Sequence, residues 1–127
     1  MGNFEELLAF QISYGLAKKV FIISKGFPKE ELFGLTDQIR RSSRSVSVNI
    51  VEAYRKRRYA KHFISKLSDA DGECSETLVW LKMAKDFGYL DEITFLELYQ
   101  EFERVGKLLG AMMKNPEKFY RPPTTNG

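Results

Sequence analysis

The 127-residue chain carries 20 Lys+Arg against 17 Asp+Glu, 43% apolar and 29% charged residues, one cysteine and one histidine. That is enough for one domain with one core and an ordinary soluble composition; the lone cysteine excludes an internal disulfide and, beside a lone histidine, a multi-cysteine zinc site. No 18-residue apolar run offers a membrane span, and the early acids Glu5 and Glu6 do not fit a signal peptide, so a reducing, cytoplasmic setting is expected.

A first helix is expected over residues 3–25. Asn3 and Glu6 have capping-box spacing, and Leu8, Ile12, Gly15, Leu16 and Val20 (or Ile23) keep a helical period. Lys18, Lys19 and Lys25 lie towards its C-terminal end, where they suit the dipole, and Gly26 stops it. Pro28 and the two acids after it predict a brief turn of helix at 29–33, with a bend at Gly34.

Residues 34–58 read as one long helix, and it holds the chain's most concentrated positive charge. Arg40, Arg41, Arg44, Arg55, Lys56, Arg57, Arg58 and the nearby Lys61 are basic; between Arg40 and Lys61 the only acid is Glu52. The rest of the chain carries 12 basic and 16 acidic residues, a net of −4. Cations gathered in one segment of an otherwise mildly acidic chain are the footprint of a polyanion-facing surface. At about 100° per residue, Arg40, Arg44, Arg55 and Arg58 share one stripe, with Leu35, Ile39, Val46, Ile50 and Ala53 roughly opposite. Ser42 and Ser43 border the apolar side, where a neighbouring helix could come close. Val48 and Val51 lie among the arginines, which suggests a second contact surface such as another subunit. The plainer alternative is a solvated basic face with Glu52 and Lys56 as an i,i+4 pair.

A third helix is expected from about Ala60 to Phe87. Phe63, Leu67, Ala70, Cys74, Thr77, Leu81 and Ala84 alternate spacings of 4 and 3, a heptad seam for near-parallel helix packing. Cys74 on that seam is a core residue, not a nucleophile. Gly72, inside the helix and off the seam, suggests a close approach by something else. Val79, Trp80, Met83 and Phe87 lie away from the seam and mark a candidate subunit interface. Gly88 ends the helix and Asp91 is a natural N-cap for a fourth, over 92–114. Leu98, Phe102, Val105, Leu109 and Met112 give that helix its core spacing, and Gly106 with Gly110 marks close packing. The fold class is therefore all-α, an antiparallel up-down-up-down four-helix bundle over residues 1–114, with an irregular tail at 115–127.

No phosphate-binding loop, dinucleotide glycine fingerprint or HExxH metal motif occurs, and neither a cofactor nor a metal is expected. Arg57 and His62 have the spacing of the Arg-x4-6-His motif of HEPN-type ribonucleases, which are also helical bundles. In a run of four basic residues some arginine falls at that spacing by chance, and a surface histidine is the better reading of His62. The chain reads as a non-enzyme.

Phe33-Gly34-Leu35, Gln38-Ile39-Arg40-Arg41, Asn49-Ile50-Val51-Glu52-Ala53 and Gly88-Tyr89-Leu90 resemble a bacterial four-helix-bundle family encoded by intervening sequences in large-subunit (23S) rRNA genes. Accessory proteins of diversity-generating retroelements are its distant relatives. Tyr14, Phe27-Pro28, Gly72 and Glu76 also match, so the resemblance covers about residues 7–113. Val51 and Ala53 depart from the family's Ala and Gly, which alters close contacts beside the basic face. The resemblance implies a bundle that forms ring-like pentamers and, for the retroelement relatives, a basic surface for nucleic acid and a reverse transcriptase.

Two functions follow. One is a non-catalytic oligomer that binds RNA or DNA by backbone contacts of the basic helix, each copy adding avidity. The other is a protein-interaction scaffold, in which Arg40 and Arg41 pair with carboxylates such as Glu52 or Glu76 within or between subunits.

Overall fold

The computed structural model describes residues 3–119. Four helices form in chain order: α1 (Leu8–Ser24), α2 (Leu35–Arg55), α3 (Ala60–Asp86) and α4 (Glu92–Lys114). Helix α1 packs on α2 and α4, α3 packs on α2 and α4, and diagonal pairs stay more than 8 Å apart between Cα atoms. Cross-links between neighbours run in opposite order along the two chains: Ser13 meets Ser47 and Ser24 meets Arg40, while Lys66 meets Glu52 and Thr77 meets Ser42. The bundle is thus antiparallel. Among the described residues there is no strand, and no helix is long and apolar enough to cross a membrane.

Helix α3 buries Phe63, Leu67, Ala70, Cys74, Thr77, Leu81 and Ala84, the seven residues of the expected seam. Helix α4 buries the expected five and adds Phe95. Asp91 caps it by accepting from the Thr94 N–H at 2.7 Å. At the end of α3, Gly88 takes φ +82°, which lets the chain fold back so that the Tyr89 N–H donates to the Ala84 carbonyl at 2.7 Å.

Four local expectations are corrected. Residues 4–6 form a separate 3₁₀ turn, and Asn3 caps that turn through the Glu5 N–H (2.8 Å), not α1 through Glu6. Helix α1 buries Ala9, Ser13, Leu16, Val20 and Ser24, so its inner face is rotated away from Leu8 and Gly15. Small residues are what let α1 approach α2: the hydroxyls of Ser13 and Ser47 meet at 3.0 Å inside the bundle. Glycines did not mark close contacts; a Cβ at Gly72 or Gly110 would meet nothing within 4 Å, and one at Gly106 only Asp71 Oδ1 at 3.6 Å. Finally, Pro116–Lys118 form a 3₁₀ turn that seats Phe119 against Phe63 at 5.5 Å. The rest of the expected irregular tail, 120–127, lies outside the described residues.

The start of α2 is held by a carboxylate from outside the helix. Glu31 accepts from the Leu35 N–H (3.0 Å) and from the Tyr89 hydroxyl (2.8 Å). A Cβ at Gly34 would sit 2.7 Å from the Glu31 Oε1, so a side chain there would displace the cap. The Leu35 N–H first, then the Tyr89 hydroxyl, hold the Glu31 carboxyl below its ordinary value of 4.5. A depressed folded-state pKa means that the unfolded chain takes up the proton first. The stabilisation is full above the ordinary value and fades as pH falls through it to the lowered one. Glu31→Gln is expected to flatten this acid limb in thermal unfolding followed across that range, with Asp91, also lowered by its cap bonds, keeping its own share.

Candidate nucleic-acid interface

Helix α2 is gripped on two sides. Towards α1 it buries Ser43 and Ser47; towards α3 it buries Ser42, whose Oγ lies 2.8 Å from Thr77 Oγ1. Leu35, Ile39, Val46, Ile50 and Ala53 fill the core between these contacts, as expected. What remains outward is the basic face. Arg41, Arg44, Arg55, Lys56, Arg58 and Lys61 are exposed, and Arg40 is half-buried.

The helix ends at Arg55, three residues short of the expected boundary. Lys56, Arg57 and Arg58 form the turn to α3, with the Arg57 N–H on the Tyr54 carbonyl and the Tyr59 N–H on the Lys56 carbonyl. Cations collect where the last carbonyls of α2 leave partial negative charge. The correction matters for Arg58, which belongs to the turn and not to the helical stripe; its guanidinium stands 5.8 Å from the Tyr59 ring centre. Arg57 is committed to Tyr54, donating to its carbonyl at 2.9 Å and lying 4.0 Å from its ring centre.

Charge pairing decides what this face can do. The acid in the basic stretch, Glu52, is taken by Lys66 of α3 at 2.7 Å, and Lys66 also reaches Asp69 at 3.5 Å. The hydrogen bond that Lys66 donates to Glu52 raises the Lys66 pKa. Within the chain Glu52 therefore pairs with neither Lys56 nor Arg40 and Arg41. Among the described residues, Arg40, Arg41, Arg44, Arg55, Lys56, Arg58 and Lys61 make no ion pair. Arg41 stands apart on the α3 flank. There, burial and then the Glu76 charge push the Glu73 carboxyl up, and the Arg41 charge draws it partly back. Asp69, Gly72, Glu73 and Glu76 line a shallow acidic groove with Asn49.

The flank shared with α1 carries aromatic rings that sequence reasoning passed over. Phe10, Tyr14 and Phe21 sit on one side of α1, next to α2. Phe10 and Tyr14 stack at 5.4 Å, and Lys18 lies 5.4 Å from the Tyr14 ring centre. Around Phe21 stand Lys25 and Arg40, each 4.8 Å from its ring centre, and Arg44 at 5.8 Å. Arg40 is further fixed by donating from Nε to Ser24 Oγ at 2.7 Å. The signal was present in the spacing of 10, 14, 17 and 21, which share a helix face distinct from that of Leu16 and Val20.

The expected subunit-contact residues fall into two separate places. Val48 (54% exposed) and Val51 line a groove of about 340 Å³ with Phe10, Tyr14, Ala17 and Arg44. Val79, Met83 and Phe87 are exposed on the outer side of α3, whereas Trp80 is half-buried against the core and donates from Nε1 to Glu76 at 3.3 Å. Phe33, before α2, is 91% exposed.

Cys74 is buried and its thiol donates to the Phe102 carbonyl at 3.1 Å. Burial first, then the Asp71 charge, push it up to about 12, so thiolate chemistry is closed to it near neutrality. His62 is exposed, edge-on to Tyr59 at 6.0 Å, while the Arg57 guanidinium lies over Tyr54; the two sit with different tyrosines.

A small antiparallel bundle with one cation-rich helix and turn defines the class. The family model described as 23S rRNA-intervening sequence protein matches residues 5–111, and the chain belongs to that family. Its fold is similar to the crystal structure of a protein of unknown function from the S23 ribosomal protein family of Bacteroides thetaiotaomicron, at TM-score 0.76 and 27% identity, over 84% of this chain and 96% of that one. No match was found among curated proteins.

Proposed function

We propose that the chain is a non-catalytic homo-oligomer that binds RNA or DNA through backbone phosphates. Arg40, Arg44, Arg55, Lys56, Arg58 and Lys61 make the contacts. The observation that carries this reading is the diversion of Glu52 to Lys66, which leaves Arg40, Arg44, Arg55, Lys56, Arg58 and Lys61 without carboxylate partners among the described residues. Unneutralised cations lined along one rod suit a polyanion, and nothing in their arrangement selects a base sequence. Oligomerisation is supported by the two apolar patches, one between α1 and α2 and one on the outer side of α3. Patches on different flanks favour a head-to-tail contact, the kind that closes into a ring such as the pentamer the family resemblance implies.

Arg41 favours the second reading, a protein scaffold, because it faces the acidic groove of α3. It serves equally as a subunit contact within a nucleic-acid-binding ring. The test is fluorescence anisotropy of labelled RNA and DNA. Six phosphate contacts predict a loss of affinity of about a thousandfold between roughly 50 and 200 mM salt. A flat salt response would remove the electrostatic reading.

A further inference from the structure

We propose that this surface selects single-stranded over duplex nucleic acid by stacking unpaired bases on Phe21 and Tyr59. The inference rests on the nucleic-acid-binding reading and adds the ligand class to it.

Phe21 is 39% exposed on α1 and Tyr59 57% exposed in the turn between α2 and α3. Neither ring belongs to the core, yet Phe21 stands among three cations and Tyr59 beside one. Arg40, Arg44 and Lys25 surround Phe21 within 5.8 Å of its centre, and Arg58 is 5.8 Å from Tyr59. A base laid on either ring puts its phosphates within reach of those cations. Exposed aromatics interleaved with basic side chains are what a single strand uses, because every base has a π-face and a duplex hides it.

The rings already interact with cations, and the magnitudes decide whether a base can displace one. An exposed cation–π contact corresponds to roughly two- to fivefold in an equilibrium. Base–aromatic stacking corresponds to roughly five- to 150-fold. Lys25, exposed and on a flexible stem, gives way and gains a phosphate. Arg40 stays, held by Ser24. The Phe21 cations, Arg40 and Arg44, precede Arg55, the last residue of α2, by about 17–23 Å at 1.5 Å per residue. That span takes roughly five to seven stacked nucleotides at 3.4 Å each, and the turn beyond it carries Arg58 and Tyr59, so one strand reaches both rings along the basic rod and past its end.

The test compares a labelled 20-nucleotide RNA without self-complementarity with the same RNA annealed to its complement, both by anisotropy. Wild type is expected to bind the single strand more tightly. Phe21→Leu with Tyr59→Leu keeps two apolar helix-compatible side chains but removes both π-faces. It is expected to weaken single-strand binding by at least about tenfold and to leave duplex binding unchanged, which also shows the variant to be folded. Phe21→Trp with Tyr59→Trp is expected to retain the preference. Equal loss on both ligands, or no loss, overturns the stacking inference while salt-sensitive binding by wild type leaves the backbone-contact reading intact. Failure of wild type to bind either RNA overturns both. A fall in light-scattering mass for the Leu variant overturns the inference by assigning the rings to a protein contact.

Discussion

Arg55→Glu combined with Arg58→Glu is expected to abolish retention of RNA and DNA at moderate salt and to leave the mass of the oligomer unchanged. Both residues are exposed and have no ion-pair partner among the described residues. Reversing two charges changes the local field by four units at the end of α2, where the turn also brings Lys56 and Lys61. Losing two phosphate contacts lowers the slope of log affinity against log salt by about 1.5–2 per engaged subunit. In an oligomer the loss repeats in every copy, so avidity magnifies it. The structural cost is small: a glutamate beside the last carbonyls of α2 disturbs the dipole by about 0.3–1 kcal/mol. Light scattering on the same sample separates the two functional readings. If the variant dissociates, the arginines join subunits and the scaffold reading gains.

Phe102→Ala is expected to cost about 3–5 kcal/mol, a large part of the roughly 5–15 kcal/mol that holds a domain of this size together. The ring is fully buried in the face that α4 turns inward, among Leu98, Val105 and Leu109 of its own helix. Nothing nearby is flexible enough to fill so large a void at no cost. In urea the midpoint should fall by about 2 M with an unchanged slope. The measurement needs one protein concentration throughout, because an assembling chain draws stability from its partners. A loss below about 1 kcal/mol would mean that the centre of the bundle repacks around the gap.

The third helix shows how much can be read without coordinates. Its buried residues alternate in steps of 4 and 3 over 22 positions, from Phe63 to Ala84, whereas the second apolar face, Val79, Trp80, Met83 and Phe87, spans only the last turns. The first helix shows the opposite. Leu8, Tyr14, Phe21 and Ile22 invite burial, yet all four are exposed, and the inward face uses Ala9, Ser13 and Ser24. Hydrophobicity alone ranks these residues wrongly, because an inner position beside a close neighbour has room only for a small side chain. The end of α2 was misplaced for a related reason. Lys56 and Arg57 have good helix propensity, but the chain must turn there to lay α3 against α2, and packing overrides propensity.

Local periodicity and charge were enough to determine four helices, the seam of α3 and the gathering of cations between Arg40 and Lys61, since each depends on neighbours a few positions apart. Only the tertiary structure decided that Glu52 pairs with Lys66, that Glu31 caps α2, and that Phe21 stands among Arg40, Arg44 and Lys25. Those pairings depend on how far each helix is rotated about its own axis towards the next. That rotation is set by the fit of whole faces, such as Ser13 against Ser47, and no spacing within one helix encodes it.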